Sequence, residues 1–233
     1  MTCCHCDAAD GVFSEKIARR DRARYQKRGP NATTRWLIQA VRNERISGAR
    51  LLDVGSGIGA ISHELLTSVA AQATLVDESR AYQAVAKDLA AERETMDRCT
   101  FVHGDFVQVQ HRLPEVDLVT LDRVVCCYPE YEPLLGAVAH TEAIWCGLAY
   151  PRYRWHVRAL VFVLNLGFRL RRSDFRVFVH PEPPMLAVLE AAGFVCKSEG
   201  GTFVWKIRLM ERVRGRRGSR VRIPAEGPQT TTC

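Results

Sequence analysis

The sequence of 233 residues contains no hydrophobic run long enough to cross a bilayer. Its longest apolar stretch, around Ala159 to Phe168, is interrupted by Asn165 and falls short of the roughly 20 residues that a membrane helix needs. No charged start leads into an apolar signal segment. These absences predict a soluble, cytoplasmic protein.

The chain has nine cysteines, but their number and positions do not indicate a disulfide framework. The number is odd and Cys146 and Cys196 lie in strand-like apolar runs, so we expect reduced thiols. The segment Cys3-Cys4-His5-Cys6 lacks the spacing of structural zinc ligands, which stand two or more residues apart and need a second pair. The sequence therefore predicts no metal site.

The formal net charge of +7 is unevenly distributed. Basic residues cluster in Lys16 to Arg28, in Arg152 to Arg176 and in Arg212 to Arg222. Such clusters are typical of solvated faces, and also of proteins that bind RNA, acidic substrates or anionic membranes. The last cluster lies in a segment with Gly, Pro and Thr and is predicted to be disordered.

From Arg50 onward, strand-like and helix-like patterns alternate. The predicted strands cover 50–54, 73–77, 100–103, 116–121 and 144–149, and the predicted helices cover 59–69, 79–92 and 130–142. Ser79 is the predicted N-cap of the second of these helices. The alternation predicts a doubly wound α/β fold with helices on both faces of a mostly parallel sheet.

The segments before and after this alternation do not follow the same strand–helix pattern. Two helices, Phe13 to Tyr25 and Thr33 to Arg45, precede the alternation, with Thr33 or Thr34 capping the second. Tyr153 to Arg172 is predicted as a buried helix, a lid over a substrate pocket or a self-association surface. A helix then covers 184–192, and two strands joined by a tight turn at Gly200-Gly201 end the fold.

The segment from Leu51 to Gly59 runs from a buried-strand pattern into three alternating glycines, Gly55, Gly57 and Gly59. Glycines at these positions let the backbone turn sharply and approach a ligand closely. The pattern Gly55-x-Gly57-x-x-Ala60 also satisfies the relaxed fingerprint of NAD-binding proteins, so the glycines alone leave the cofactor open.

Three acids accompany these glycines: Asp53 before the loop, Asp77 at the end of the next strand, and Asp105 in His103-Gly104-Asp105-Phe106. Together these features resemble the class I S-adenosylmethionine-dependent methyltransferases. The resemblance covers roughly residues 33–210. It implies a Rossmann-like seven-stranded sheet that is mostly parallel with an antiparallel last strand.

The resemblance also implies roles for these residues. Asp77 would accept hydrogen bonds from both ribose hydroxyls, and Asp105 would contact the adenine amino group. Asp53 is predicted to orient the loop or to meet the cofactor's ammonium, although aspartates at strand ends also serve as turn or cap residues. The full set predicted to contact the cofactor is Asp53, Gly55, Gly57, Gly59, Asp77, Glu78, Asp105, Phe106 and Asp122.

Candidate catalytic residues follow the fourth strand, because ligands of doubly wound sheets sit at the carboxyl ends of the strands. Asp122 is predicted to position the acceptor or the methionine end of the cofactor, and Tyr128 to offer its hydroxyl to the acceptor. His180 is the candidate general base, since its ordinary pKa lies near neutrality.

These segments, with Tyr150-Pro151-Arg152 and Phe178-Val179-His180-Pro181, resemble a bacterial branch grouped with magnesium-protoporphyrin O-methyltransferases. That grouping implies no particular substrate. Cys126 and Cys127 suggest a soft ligand, but adjacent side chains diverge on an extended segment, which disfavours a joint clamp.

The sequence thus predicts an enzyme that transfers a methyl group from S-adenosylmethionine to a small-molecule acceptor by in-line displacement. The alternatives are an RNA or protein methyltransferase that uses the basic faces, an NAD-type dinucleotide-binding protein, and a non-catalytic membrane-associated scaffold. A homodimer is a further alternative. The predicted parts are a Cys-rich N-terminal segment with a lid helix (1–32), the catalytic domain with its insertion near 153–172 (33–210) and the basic tail (211–233).

Overall fold

The computed structural model describes residues 12–213. In this part of the chain, seven strands form one sheet flanked by helices on both faces. The strands are β1 (Ala49–Val54), β2 (Ala70–Asp77), β3 (Cys99–His103), β4 (Leu118–Asp122), β5 (Trp145–Pro151), β6 (Phe194–Gly201) and β7 (Trp205–Arg212). The predictions for Cys3 to Cys6 and for the tail beyond residue 213 lie outside the described residues.

Helices connect the strands or precede them. They are α1 (Glu15–Arg28), α2 (Ala32–Asn43), α3 (Ala60–Leu65), α4 (Arg80–Glu92), α5 (Phe106–Val109), α6 (Tyr131–His140), α7 (Trp155–Leu170) and α8 (Glu182–Ala191), with short 3₁₀ turns at Met96–Arg98, Gln110–Arg112 and Val125–Cys127.

The strand order is β3-β2-β1-β4-β5-β7-β6. Strand β7 pairs antiparallel with both β5 and β6, while the pairs among β1 to β5 are all parallel. This topology confirms the predicted doubly wound, mostly parallel sheet with an antiparallel last strand.

The central strands β1 and β4 are apolar because both of their faces are covered. On one face, α2 and α3 contribute Leu37, Val41 and Leu65 to the core. On the other face, α6 and α8 contribute Leu134 and Leu189. The sheet is thus the middle layer of three, and only its strand ends open toward a ligand.

Several predicted boundaries are corrected. Helix α3 ends at Leu65 rather than at residue 69, and β2 begins at Ala70 rather than at residue 73, since Ala70 already pairs with Ala49 of β1. The final turn lies at 202–204, where the Thr202 amide donates to the Trp205 carbonyl.

The glycines that suggested that turn lie inside β6 instead. Gly200 pairs with Ile207 and Gly201 pairs with Lys206. Gly200 lies directly beneath the Trp36 indole of α2, where an added Cβ would stand 2.3 Å from the ring. Close packing with an aromatic ring, and not a turn, therefore accounts for this glycine.

The two predicted helix caps have different outcomes. Ser79 caps α4 as predicted, and its hydroxyl accepts from the Tyr82 amide. The prediction for α2 is wrong, because Asn31 is its cap and accepts from the amides of Thr33 and Thr34. The two threonines belong to the first turn, which leaves the Thr34 hydroxyl available for the site described below.

The segment predicted with three alternatives forms α7, and only Val157 on it is buried. The buried-helix interpretation is therefore wrong. Within residues 12–213, none of the helices combines the length and the hydropathy that a membrane span requires.

Replacing Gly147 by alanine tests the packing of α2 on β5. The new Cβ would lie 2.7 Å from Leu37 Cδ1, a fully buried side chain, so we expect a loss of about 1–3 kcal/mol in the free energy of unfolding. Gly167→Ala is the matched control, because open space surrounds Gly167 on helix α7 and the change should stabilise by up to about 1 kcal/mol. Urea denaturation measures both, and equal effects would contradict this packing.

Candidate active site

A cavity of about 500 Å³ opens at the carboxyl ends of β1, β2 and β4. Its size falls within the range of roughly 300–1,000 Å³ that is common for small-molecule sites. Its position is where doubly wound sheets bind their ligands. Every residue predicted to contact the cofactor lines it, with the exception of Gly59, which caps α3.

Two features of position 55 in the glycine loop require glycine. Its φ of +58° lies in the left-handed region, and an added Cβ would stand 2.5 Å from Val124 Cγ2. The loop therefore lies directly against the segment that follows β4. This contact brings two cavity walls together and leaves the loop backbone facing the interior.

Asp77 fastens the same loop to the end of β2. Its Oδ2 accepts from the Gly57 amide at 2.7 Å, and its Oδ1 accepts from the Ser79 amide at 2.8 Å. Burial raises the pKa of Asp77 to about 6, an effect that the two backbone amides oppose. A carboxylate has about four acceptor sites, so two remain for a ligand with paired hydroxyls.

Asp53 lies deeper, at the end of β1. Its two oxygens accept from the hydroxyls of Ser62 at 2.9 Å and Thr120 at 2.8 Å. Burial raises the pKa of Asp53 to about 7, and the nearby charge of Asp122 adds to this effect. Asp53 thus joins α3 to β4 beneath the loop, and it gives the cavity floor an acidic character.

Asp122 ends β4 beside it. The Thr34 hydroxyl donates to Oδ2, and the Arg123 guanidinium lies 3.4 Å from Oδ1 without hydrogen-bond geometry. Among the described residues, Oδ1 is buried and has no hydrogen-bond partner. Since buried polar atoms are normally satisfied, Oδ1 is a point where a bound ligand could donate.

Asp105 stands at the start of α5 and caps it. Its Oδ1 accepts from the Val107 amide at 3.1 Å and from the Tyr128 hydroxyl at 2.6 Å. Phe106 is buried behind it. Tyr128 therefore contacts the carboxylate that the sequence assigns to the adenine, rather than a separate acceptor position.

The cavity lining is strongly acidic. Two arginines, Arg24 and Arg123, oppose six carboxylates, which are Asp21, Asp53, Asp77, Glu78, Asp105 and Asp122. Such a lining favours a ligand with cationic groups and disfavours the pyrophosphate of a dinucleotide.

The same cavity also has an apolar part to its lining. Phe168 and Leu164 of α7 contribute to it, together with Phe13 and Phe175. The ring of Phe175 makes edge contacts with Phe13 at 5.5 Å and with Phe168 at 5.4 Å. This aromatic cluster joins the N-terminal segment to α7.

Helix α1 lies along the rim of the cavity. Its Tyr25 hydroxyl donates to Glu64 at 2.8 Å, and its Asp21 accepts from the Tyr82 hydroxyl at 2.7 Å. Burial raises the pKa values of both tyrosines, so both stay neutral donors. The helix is therefore held over the site by specific polar contacts.

His180 does not lie among the residues that line the cavity. Its Nε2 stands 3.2 Å from the Val125 carbonyl and 3.0 Å from the Tyr128 carbonyl. In the tautomer protonated at Nε2, the ring can donate to these carbonyls. This geometry makes His180 a support of the turn after β4, and it does not support the general-base hypothesis.

Cys126 and Cys127 do line the cavity, and their arrangement corrects the expected divergence. They lie on a 3₁₀ turn rather than on an extended segment, and both thiols lie within reach of the Arg123 carbonyl, at 3.3 and 3.7 Å. Hydrogen bonding to Cys127 and burial raise the pKa of Cys126, so it remains a thiol at neutral pH.

Comparison with protein families bears on the cofactor. Residues 51–141 match the model of a family described as a methyltransferase domain. The matched part begins in β1, ends just after α6, and includes the glycine loop, Asp77, Asp105 and Asp122. This similarity favours a methyl donor over the dinucleotide that the glycines had left open. No curated protein matches the chain.

Solved structures share the fold of this chain at low identity. Magnesium protoporphyrin IX methyltransferase from Synechocystis PCC 6803, with bound S-adenosylhomocysteine, has a TM-score of 0.71 and 19% identity over 90% of this chain and 100% of that one. A TehB-like methyltransferase from Corynebacterium glutamicum has a TM-score of 0.60 and 16% identity over 87% and 100%. A family 2 O-methyltransferase from Planctomyces limnophilus, in complex with apigenin, has a TM-score of 0.63 and 14% identity over 84% and 62%.

Sequence reasoning missed several residues that line the cavity, notably Asp21, Thr34 and Phe175. Asp21 lies among alternating charges on α1, where nothing in the pattern distinguishes it from a solvated residue. Phe175 follows the arginine-rich end of α7. Thr34 could have been found had Asn31 been recognised as the cap, since the first turn then faces the end of β4.

Gly55→Ala tests the loop. The variant combines left-handed strain with collision against Val124, so we expect S-adenosylmethionine affinity to fall at least tenfold. Gly48→Ala is the matched control, since Gly48 has a φ of +68° with nothing near its Cβ position, and its cofactor affinity should be unchanged. Titration calorimetry compares the two, and equal affinities would show that the Val124 contact is unimportant.

The raised pKa of Asp77 predicts a pH dependence of cofactor binding. Below its pKa of about 6 the protonated acid loses acceptor capacity, so affinity should fall by up to about tenfold per pH unit. Calorimetric titrations across this range measure the effect, and the profile of Asp77→Asn should lack the inflection near pH 6. A flat wild-type profile would contradict the assignment.

Proposed function

We propose that this protein transfers a methyl group from S-adenosylmethionine to a small, largely apolar acceptor by in-line displacement. The observation that supports the proposal most strongly is one cavity whose lining combines six carboxylates with an aromatic cluster. The carboxylates suit a cationic cofactor. The aromatic cluster, our proposed acceptor compartment, suits an acceptor with apolar surface.

Among these carboxylates, Asp77 binds the two ribose hydroxyls with the acceptor sites that Gly57 and Ser79 leave unused. Asp105 holds the adenine amino group with Oδ2, while Tyr128 fixes its orientation through Oδ1. The loop backbone at Gly55 and Gly57 approaches the ligand closely because neither residue has a side chain.

Asp122 offers its unbonded Oδ1 to the methionine end of the cofactor or to a polar group of the acceptor. Thr34 keeps the other oxygen occupied, so the carboxylate cannot rotate freely. Asp53 supports this arrangement from below and supplies negative charge toward the cofactor's cationic groups.

Few catalytic side chains are needed. S-adenosylmethionine, when bound, supplies a methyl group that its sulfonium leaving group already activates. The protein then contributes alignment, which is the larger part of the rate enhancement in a two-reactant displacement. Phe13, Phe168 and Phe175 confine the acceptor and exclude water. His180 acts indirectly, because it holds the turn that carries Cys126 and Tyr128.

The RNA or protein alternative depends on the basic clusters, and the acidic cavity gives it no specific support. A polyanionic acceptor would have to approach past six carboxylates.

The proposed roles predict an order of effects for two alanine variants. Asp77→Ala should weaken S-adenosylmethionine binding more than Asp122→Ala, because Asp77 contacts two hydroxyls and also holds the loop. We expect a loss of at least tenfold for Asp77→Ala and a smaller one for Asp122→Ala, as measured by calorimetry. Negligible effects of both would mean that the cofactor binds elsewhere.

The acceptor class is tested directly with an isotopically labelled methyl donor. The protein is incubated with a metabolite extract, an RNA pool and a protein pool, and mass spectrometry identifies what becomes labelled. Label in small apolar molecules supports the proposal, and Gly55→Ala, which should bind the donor at least tenfold more weakly, serves as the control with reduced labelling. Label confined to RNA or protein would overturn it.

A further inference from the structure

The outer face of α7 is apolar and exposed. At about 100° per residue, its large apolar side chains cover a little less than half of the helix circumference. Six of them are between 45% and 80% exposed: Trp155, Leu160, Phe162, Val163, Leu166 and Leu170. Helices of water-soluble proteins normally direct such a stripe toward the core, and this stripe is directed away from it.

The inner face of the same helix already meets the needs of the fold. Val157 is buried, and Leu164 and Phe168 line the cavity. Asn165, which interrupts the apolar run, exchanges two hydrogen bonds of 2.8 Å with the backbone of Val177. Packing within the described part of the chain therefore gives no reason for the outer stripe.

The charged residues of α7 and its immediate flanks are of one sign, and the first acid beyond them is Asp174. Residues 152–173 include six arginines and no acidic residue. Arg158 and Arg169 border the stripe on one side, and both are exposed. Arg154 and Arg158 lie at the N-terminal end, where positive charge is unfavourable for the helix dipole. Helix stability therefore does not explain their placement.

We propose that α7 docks on an anionic membrane surface and lies in the plane of the interface. The apolar stripe enters the acyl boundary, while the long arginine side chains reach back to the lipid headgroups. Phe203, at the turn between β6 and β7, stacks on His156 at 4.3 Å and extends the apolar surface beyond the helix end. With 16 residues, α7 has the length to lie on a bilayer and not to span it.

The charges also favour an anionic membrane over a second copy of the chain as the partner of α7. A two-fold pair of α7 helices in antiparallel contact would bring Arg154 and Arg158 of one copy toward Arg169, Arg171 and Arg172 of the other. Like charges in that position repel, whereas an anionic lipid surface neutralises all of them. The membrane surface is therefore the partner that satisfies both the stripe and its arginines.

Vesicle co-sedimentation tests this inference. We expect the protein to bind vesicles of mixed phosphatidylglycerol and phosphatidylcholine, and to bind vesicles of phosphatidylcholine alone at least tenfold more weakly. Added salt should weaken the binding. The double variant Phe162→Asp with Leu166→Asp should lose it, whereas Met96→Asp, an exposed apolar position before β3, should retain it.

Charge reversal provides a second, independent variant. Arg158→Glu with Arg169→Glu leaves the apolar stripe intact and should still abolish the preference for anionic vesicles. Circular dichroism and S-adenosylmethionine affinity, both expected unchanged, show that the variants are folded. This readout does not depend on which acceptor is methylated.

Two outcomes would overturn the inference. One is equal binding of the wild type and the Phe162/Leu166 double variant to anionic vesicles. The other is absence of binding to anionic vesicles; a dimer that the double variant converts to monomer in analytical ultracentrifugation would then make the stripe an interface between copies.

Discussion

The geometry of the site depends above all on the carboxylate of Asp77. Its two bonds to the amides of Gly57 and Ser79 join the end of β2 to the glycine loop and to the start of α4. Because both amides belong to backbone, the arrangement survives side-chain variation elsewhere. The same carboxylate is the proposed contact with the cofactor, so loop position and cofactor binding depend on one group.

Much of this arrangement could be predicted from the sequence. Strand periodicity, alternate glycines and an acid at the end of each strand are local signals, and parallel topology places all strand ends on one edge. The walls of the acceptor compartment carried no such signal. Phe13 and Phe175 are 162 positions apart in the chain, and only tertiary packing brings their rings to 5.5 Å.

The predictions that failed did so where a local pattern had two interpretations. Gly200-Gly201 looked like a turn, but the close approach of Trp36 explains Gly200. Tyr153 to Arg172 looked like a buried helix because of its apolar content, yet its outer face is exposed. The general-base hypothesis for His180 stays a prediction, and the two carbonyls around its Nε2 favour a role in holding the turn after β4.

Helix α1 bears on turnover. The Tyr25–Glu64 and Tyr82–Asp21 contacts join it to α3 and α4 beside the cavity. Any displacement of α1 must break both hydrogen bonds, and motions of this kind limit ligand exchange in many enzymes. The two tyrosines therefore connect the position of the N-terminal helix to the accessibility of the site.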